Sequence, residues 1–217
     1  MKLNRGFISL MILLLVATAV LGAAPAGNAW QESPPSLKQL FESGRYQDII
    51  DRRSAQGESA ADPLDDYLAA QAYLKLQNGD GARQALGRLA QRGETDPWAL
   101  VARAERARLD QNLDEALTLA QAAVAQAPPA PAAAYALYQL GAVHSQRQDM
   151  PAAADAFEKA TAADPDFAYA HYYAGMAYSR LKQIDRVASH LEAFLRLAPE
   201  APERGAVESI MRTIRGG

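Results

Sequence analysis

Residues 134–167 read AYALYQLGAVHSQRQDMPAAADAFEKATAADPDF. Two stripes of helical period flank a polar break at Gln148-Asp149. The first stripe carries Leu137, Leu140, Gly141 and His144. The second carries Met150, Ala153, Phe157 and Ala160, and Pro165 closes the unit. Apolar residues three and four apart turn one helix face toward a neighbour. A short polar break makes the two helices antiparallel. The small residues let their axes approach, and the large ones fill the space between neighbouring pairs.

The layout recurs on both sides of this stretch. Residues 168–201 repeat it through Gly175, Tyr178, Ile184, Val187, Leu191, Phe194 and Pro199. Val187 and Phe194 stand where small residues are expected, which predicts a looser or repacked last pair. Residues 97–130 follow through Leu100, Ala104, Ala107, Leu113, Ala116, Ala120, Ala123 and Pro128, with Arg103 in a slot for Leu. Residues 63–96 follow through Ala70, Tyr73, Ala82, Leu86 and Leu89, with Asp66 in a slot for a large apolar residue. Pro63, Pro97, Pro131, Pro165 and Pro199 fall 34 residues apart, a period that signals a stacked helical array. The units start at 63, 97, 134 and 168, so one step is three residues longer. The extra length lies in Pro128-Pro129-Ala130-Pro131, read as a loop because proline cannot donate to a helix ladder.

This pattern resembles the tetratricopeptide repeat (TPR) family over residues 30–199. The resemblance implies an all-α, TPR-type right-handed α-solenoid of antiparallel helix pairs. Residues 30–62 read as a degenerate first repeat and connection, 63–201 as four repeats, and 202–217 as a capping helix. In that helix Val207, Ile210, Met211 and Ile214 form one apolar stripe. The resemblance also implies that the first helix of each pair lines a concave face. The slots that point inward there hold Tyr67, Gln71 and Leu74; Trp98, Val101, Glu105 and Arg108; Tyr135, Tyr138, Ala142 and Ser145; Tyr169, Tyr172, Met176 and Ser179. Six aromatic rings would meet in one groove, where large contact area favours partner binding. The competing reading is that these rings fill the space between repeats. The expected groove residues are Tyr67, Trp98, Val101, Arg108, Tyr135, Tyr138, Tyr169, Tyr172 and Met176. Val101, Tyr138 and Tyr172 stand where the family's carboxylate clamp needs basic residues. The groove is therefore expected to take an apolar or aromatic-tolerant peptide or helix instead.

Composition narrows the function classes. The chain has 217 residues, a formal net charge of −3 and no cysteine. The mild acidity argues against nucleic acid. The absence of cysteine excludes disulfides, thiolate metal sites and a Cys nucleophile. No Gly-rich nucleotide loop and no His-Glu-x-x-His pair is present. His144 and His171 fall in core slots, and His190 is expected to be solvated. The run Asp110–Glu115 lacks the glycine and distal glutamate of a calcium loop. Asp114 and Glu115 suit a helix start. Asp62-Pro63, Asp96-Pro97 and Asp164-Pro165 read as helix starts too, with Asp as N-cap and Pro in the first turn.

Residues 1–29 have the layout of an export signal. Lys2 and Arg5 precede an apolar run from Phe7 to Leu21, and small residues follow. Cleavage after Ala26 or Ala29 fits, and an uncleaved N-terminal membrane anchor is the alternative. The expectation is an exported protein, in the periplasm or anchored facing it, with no cofactor and no enzymatic role. It would bind a protein or peptide partner in the cell envelope. The alternatives are a self-associating structural protein, such as a homodimer, or an accessory subunit of an envelope assembly or polysaccharide enzyme complex.

Overall fold

The computed structural model describes residues 34–57 and 62–216; the segment read as an export signal, 1–29, lies outside them. Among the described residues, eleven α-helices follow one another. They are α1 (Leu37–Glu42), α2 (Tyr46–Ala55), α3 (Pro63–Lys75), α4 (Gly79–Leu89), α5 (Pro97–Leu109), α6 (Leu113–Gln126), α7 (Ala132–Gln146), α8 (Met150–Ala163), α9 (Ala168–Arg180), α10 (Ile184–Leu197) and α11 (Arg204–Gly216). A 3₁₀ turn, Ala90–Arg92, extends α4. Each odd-numbered helix from α1 to α9 forms a hairpin with the next, giving five pairs and a closing helix.

The hairpin turns are built alike. Gly44, Gln77, Gln111, Gln148 and Lys182 each have a positive φ, between 58° and 75°. In every turn the next residue's N–H reaches back to a carbonyl five residues earlier: Arg45 to Leu40, Asn78 to Tyr73, Asn112 to Ala107, Asp149 to His144, Gln183 to Tyr178. This is the bond that closes a helix with a left-handed residue at its end. Only one of the five positions is glycine, so the turn is held by the packing of the hairpin rather than by local preference. Gly44 has a second reason to lack a side chain: a Cβ there would lie 2.7 Å from Pro202 Cγ.

Within a hairpin, a small residue on one helix receives a large one from the other. A Cβ on Gly141 would meet the Phe157 ring at 2.7 Å, and one on Gly175 would meet Leu191 Cδ2 at 2.7 Å. Ala70 and Ala104 hold the corresponding positions and are fully buried. Asp62 and Asp96 cap α3 and α5 through Leu64 and Ala99 N–H groups at 3.0 and 2.9 Å, and Pro63 and Pro97 sit in the first turn. The third Asp-Pro pair differs. Asp164 ends α8, accepts from the Asp166 N–H at 3.0 Å, and α9 begins only at Ala168. The short turn this makes buries Phe167, which a helix started at Pro165 would have placed elsewhere.

The two charged residues in apolar slots have partners. Asp66 is buried against Arg53 of the first hairpin at 2.6 Å. Arg103 donates to the carbonyls of Ala90 and Gly93 at 3.0 and 3.3 Å, tying down the end of the 3₁₀ turn. Of the two expectations for the last pair, repacked rather than looser holds: Val187 and Phe194 are buried, and Phe194 packs on Tyr169 and Tyr172 with ring centroids 5.8 and 5.2 Å apart. Pro202 precedes α11 by two residues rather than opening it, and Val207 and Met211 are the buried members of its stripe.

The stack curls far enough for its first hairpin to touch its last. Phe41 packs edge-on against Tyr169 at 5.2 Å. Lys38 approaches Asp164 at 3.7 Å, and Lys75 pairs with Glu203 at 2.7 Å. Glu203 also accepts from the Tyr169 hydroxyl at 2.9 Å, while the Lys75 ammonium lies 5.0 Å from the centre of that ring. Glu42 sits in this seam. Burial raises its pKa to about 7; Lys38 opposes the rise, and Asp164 and Asp166 add to it. A carboxyl with a raised folded pKa supports the fold while protonated, and that support is lost as pH rises through the folded value. Glu42→Gln is therefore expected to raise the melting temperature at pH 8 relative to wild type, and to leave it nearly unchanged at pH 5. An equal shift at both pH values, read by circular dichroism melts, would show that the carboxylate charge is not the cause.

Candidate functional site

The inner wall is made by α3, α5, α7 and α9, and it has two halves of different character. Toward the helix N-termini the wall is filled. Tyr67, Trp98 and Tyr135 form a triangle with ring centroids 6.1, 5.4 and 5.4 Å apart. Phe167 stacks on Tyr135 at 4.2 Å and lies 5.2 Å from Tyr138. Tyr67, Trp98, Val101, Tyr135 and Tyr169 are all buried. Contact between the α3 ring and the α7 ring, across α5, requires a tight curl. Five of the nine expected groove residues are thus core: Tyr67, Trp98 and Tyr135 pack on one another and Tyr135 on Phe167, Tyr169 packs on Phe41 and Phe194, and Val101 is buried. Here the rings fill the space between repeats, and the open concave groove expected along the whole wall does not exist in this half.

Below that layer lies a buried polar network. Glu105 is 1% exposed. Arg108 grips it with two bonds of 2.6 and 2.8 Å. Gln139 Nε2 donates to it at 2.8 Å and Gln71 Nε2 at 3.4 Å. Arg108 continues outward to Gln146 at 3.1 Å. Burial alone would raise the Glu105 pKa, but the Arg108 guanidinium and the amide donors hold it below the usual carboxylate value. Burial would lower the Arg108 pKa, and Glu105 more than offsets it. The two slots that looked like partner-facing positions, 105 and 108, are thus joined to each other first. Among the described residues, the buried Tyr67 and Tyr135 hydroxyl oxygens and Gln139 Oε1 have no hydrogen-bond partner.

Toward the helix C-termini the wall opens. One cleft of about 330 Å³ lies between α3, α5 and α7, over Arg108, Tyr138 and Ala142. A second, of about 260 Å³, lies between α7 and α9, lined by Tyr172, Met176 and Arg180. Ser145, Phe157 and Tyr173 line both, so the two are neighbours along one furrow. Its floor is aromatic: Tyr138, Phe157 and Tyr173 lie 5.6 to 5.7 Å apart. The charged side chains lining it are Arg108 and Arg180, and no Asp or Glu is among the described lining residues. Tyr138, Tyr172, Met176 and Arg108 are the expected groove residues that the structure brings to this furrow. Sequence reasoning missed Phe157, Tyr173 and Arg180. Phe157 reaches the furrow from the second helix of its pair, and a pattern that assigns the wall to first helices alone cannot find it.

The remaining candidates take ordinary places. Asp110 pairs with Arg83 at 3.3 Å and Asp114 with Arg147, joining adjacent repeats. His144 is half-buried, with Nδ1 3.6 Å from Asp149. His171 and His190 meet between α9 and α10, so His190 is not the free surface residue that the sequence suggested. No cluster of three or more His, Cys, Asp or Glu suited to a metal occurs among the described residues.

Comparisons place this geometry among known folds. No protein-family profile and no curated protein matches the chain. A thermophilic TPR protein from Thermus thermophilus superposes with a TM-score of 0.58 at 19% identity, covering 83% of this chain and 96% of that one. The Cut9–Hcn1 hetero-tetramer of the APC/C gives 0.54 at 18% identity, covering 70% of this chain and 29% of the matched one. MamA aligns over 81% of this chain at 19% identity with a TM-score of 0.43.

Removal of Glu105 would leave Arg108 partly buried without its carboxylate. Breaking such a pair costs about 3–5 kcal/mol. Glu105→Ala is expected to fall at the lower end, because water reaches part of Arg108, and to lower the denaturant midpoint without changing the slope. A midpoint within error of wild type in urea unfolding would remove the network from the account of stability. The ordered helical hairpins, their shared turns and the likeness to the Thermus thermophilus protein show that the chain has the fold of tetratricopeptide repeat proteins.

Proposed function

We propose that the chain is a non-enzymatic protein-interaction scaffold of the bacterial cell envelope, and that its partner segment docks in the open half of the inner wall. The observation that carries this reading is the furrow along α7 and α9. An aromatic floor lies between two guanidinium groups, with no carboxylate among the described lining residues. Such a surface favours a short segment that sets an apolar side chain against the half-buried Tyr138 and Tyr173, over the buried Phe157 ring, beside an acidic group facing Arg180. Arg108 contributes less net charge, since Glu105 already neutralises it. A helical-repeat wall supplies rigidity, so affinity rests on a few anchors rather than on folding of the wall. The buried rings Tyr67, Trp98, Val101, Tyr135 and Tyr169 serve this reading as the wall's support and not as its contact surface.

The envelope part of the proposal rests on the signal-like residues 1–29. N-terminal sequencing of the protein from fractionated cells is expected to give a periplasmic chain starting after Ala26 or Ala29, or an intact one in the inner membrane. A cytoplasmic chain with its N-terminus intact would overturn that part alone.

For the furrow, Met176→Ala combined with Arg180→Glu is the informative variant. Arg180 is exposed and Met176 only half-buried, so the helices and melting temperature should persist. Selection from a random peptide library on the wild-type chain is expected to enrich peptides pairing an aromatic or aliphatic residue with Asp or Glu. Their affinity, by fluorescence polarisation, should fall at least tenfold on the double variant. Equal binding to both proteins, or enrichment of basic peptides, would reject the furrow as the docking site.

A further inference from the structure

His171 on α9 and His190 on α10 are 19 positions apart in sequence, yet their Nδ1 atoms lie 3.2 Å from each other. The rings are 5.3 Å apart between centroids and tilted by 45°. His171 Nε2 lies 3.2 Å from the Pro165 carbonyl oxygen. A carbonyl only accepts, so this bond fixes the hydrogen on Nε2 and leaves a lone pair on Nδ1, the atom nearest His190. A backbone carbonyl holding the far nitrogen of an imidazole is the outer-shell arrangement found behind metal-bound histidines. His190 is held from its other face by Tyr178, whose ring is parallel to it within 16° at 5.6 Å. The Tyr178 hydroxyl in turn bonds Glu158, and Arg186 bonds both. Each imidazole is therefore fixed by a second contact.

We infer that His171 and His190 together form a binding site for a borderline divalent transition-metal ion, held by the two Nδ1 atoms with water completing the shell. Two imidazole nitrogens on one ion, each at ~2.0–2.1 Å, lie roughly 2.9 Å apart at a right angle and roughly 3.3 Å apart at the tetrahedral angle. The 3.2 Å separation falls within that span. In the metal-free pair one Nδ1 must donate to the other, and the Pro165 bond makes His190 the donor. On binding, His190 Nδ1 releases its proton to solvent and Nε2 takes one up, so the ring stays neutral. The field is mixed: Asp164, Asp166 and Glu158 favour a cation here, while Arg196 and Arg186 oppose it. With two protein ligands the site should be moderate in affinity and follow the general order for nitrogen donors, Cu²⁺ above Zn²⁺.

The test uses the tag-free full chain in a buffer that does not coordinate metals. Calorimetric titration with Cu²⁺ and with Zn²⁺ is expected to show one saturable site per chain, tighter for Cu²⁺. His171→Ala and His190→Ala should each weaken it at least tenfold, and His144→Ala should leave it unchanged. Nitrogen-15 imidazole shifts of the wild-type protein give a measure that needs no variant to fold. Zn²⁺ should move the Nδ1 resonances of His171 and His190 and leave those of His144. Saturable binding that survives both alanine variants, no saturable binding at all, or Zn²⁺ shifts confined to His144 would overturn the site.

Discussion

The curl of the helix stack depends on the aromatic layer at the N-terminal ends of the inner helices. Tyr67, Trp98, Tyr135 and Phe167 pack in one continuous cluster across three repeats. Rings packed this way contribute about 0.5–1.5 kcal/mol per pair beyond the area they bury. Their size and their small neighbours fix how sharply one hairpin turns relative to the next. That angle brings Phe41 of the first hairpin against Tyr169 of the last, and Lys75 to Glu203. It also leaves the furrow at the opposite, C-terminal ends of the same helices. Closure at one end of the wall and opening at the other have one cause.

This arrangement changes what an aromatic inner wall means. Rings at the inward slots of a helical repeat are candidates for partner contact while the stack is open. Here the stack curves until those rings meet each other, and most of them become core. The furrow lies at the next turn of each helix, and the proposed partner contact falls there. Ala142, Ser145 and Met176 hold those places. The polar network around Glu105 lies between the two regions. Arg108, Gln139 and Gln71 satisfy the Glu105 carboxylate under the ring layer. Its outer member, Arg108, reaches the furrow.

The repeat, the hairpins and the closing helix were legible in the sequence because each rests on local spacing. Gly141, Gly175 and the Asp-Pro helix starts act within one hairpin or one turn. The errors share a different origin. Nothing local told that Asp66 meets Arg53, that Phe194 fills a gap against Tyr169, or that Asp164 ends a helix instead of starting one. The inner wall was misread for the same reason. Whether Tyr135 faces solvent or Tyr67 depends on the curvature of the whole stack, which sums small angles over several repeats. His171 and His190 each looked unremarkable alone, since only the packing of α9 on α10 places their nitrogens together.

Hydroxyl-radical footprinting with residue-level mass spectrometry tests most directly whether the wall is closed at one end and open at the other. The account predicts that Tyr67, Tyr135 and Trp98 are protected in the native chain, while Met176, Tyr172 and Tyr173 are labelled readily. Labelling of Tyr67 and Tyr135 as fast as Tyr172 would contradict it, and would mean that the stack stands open in solution.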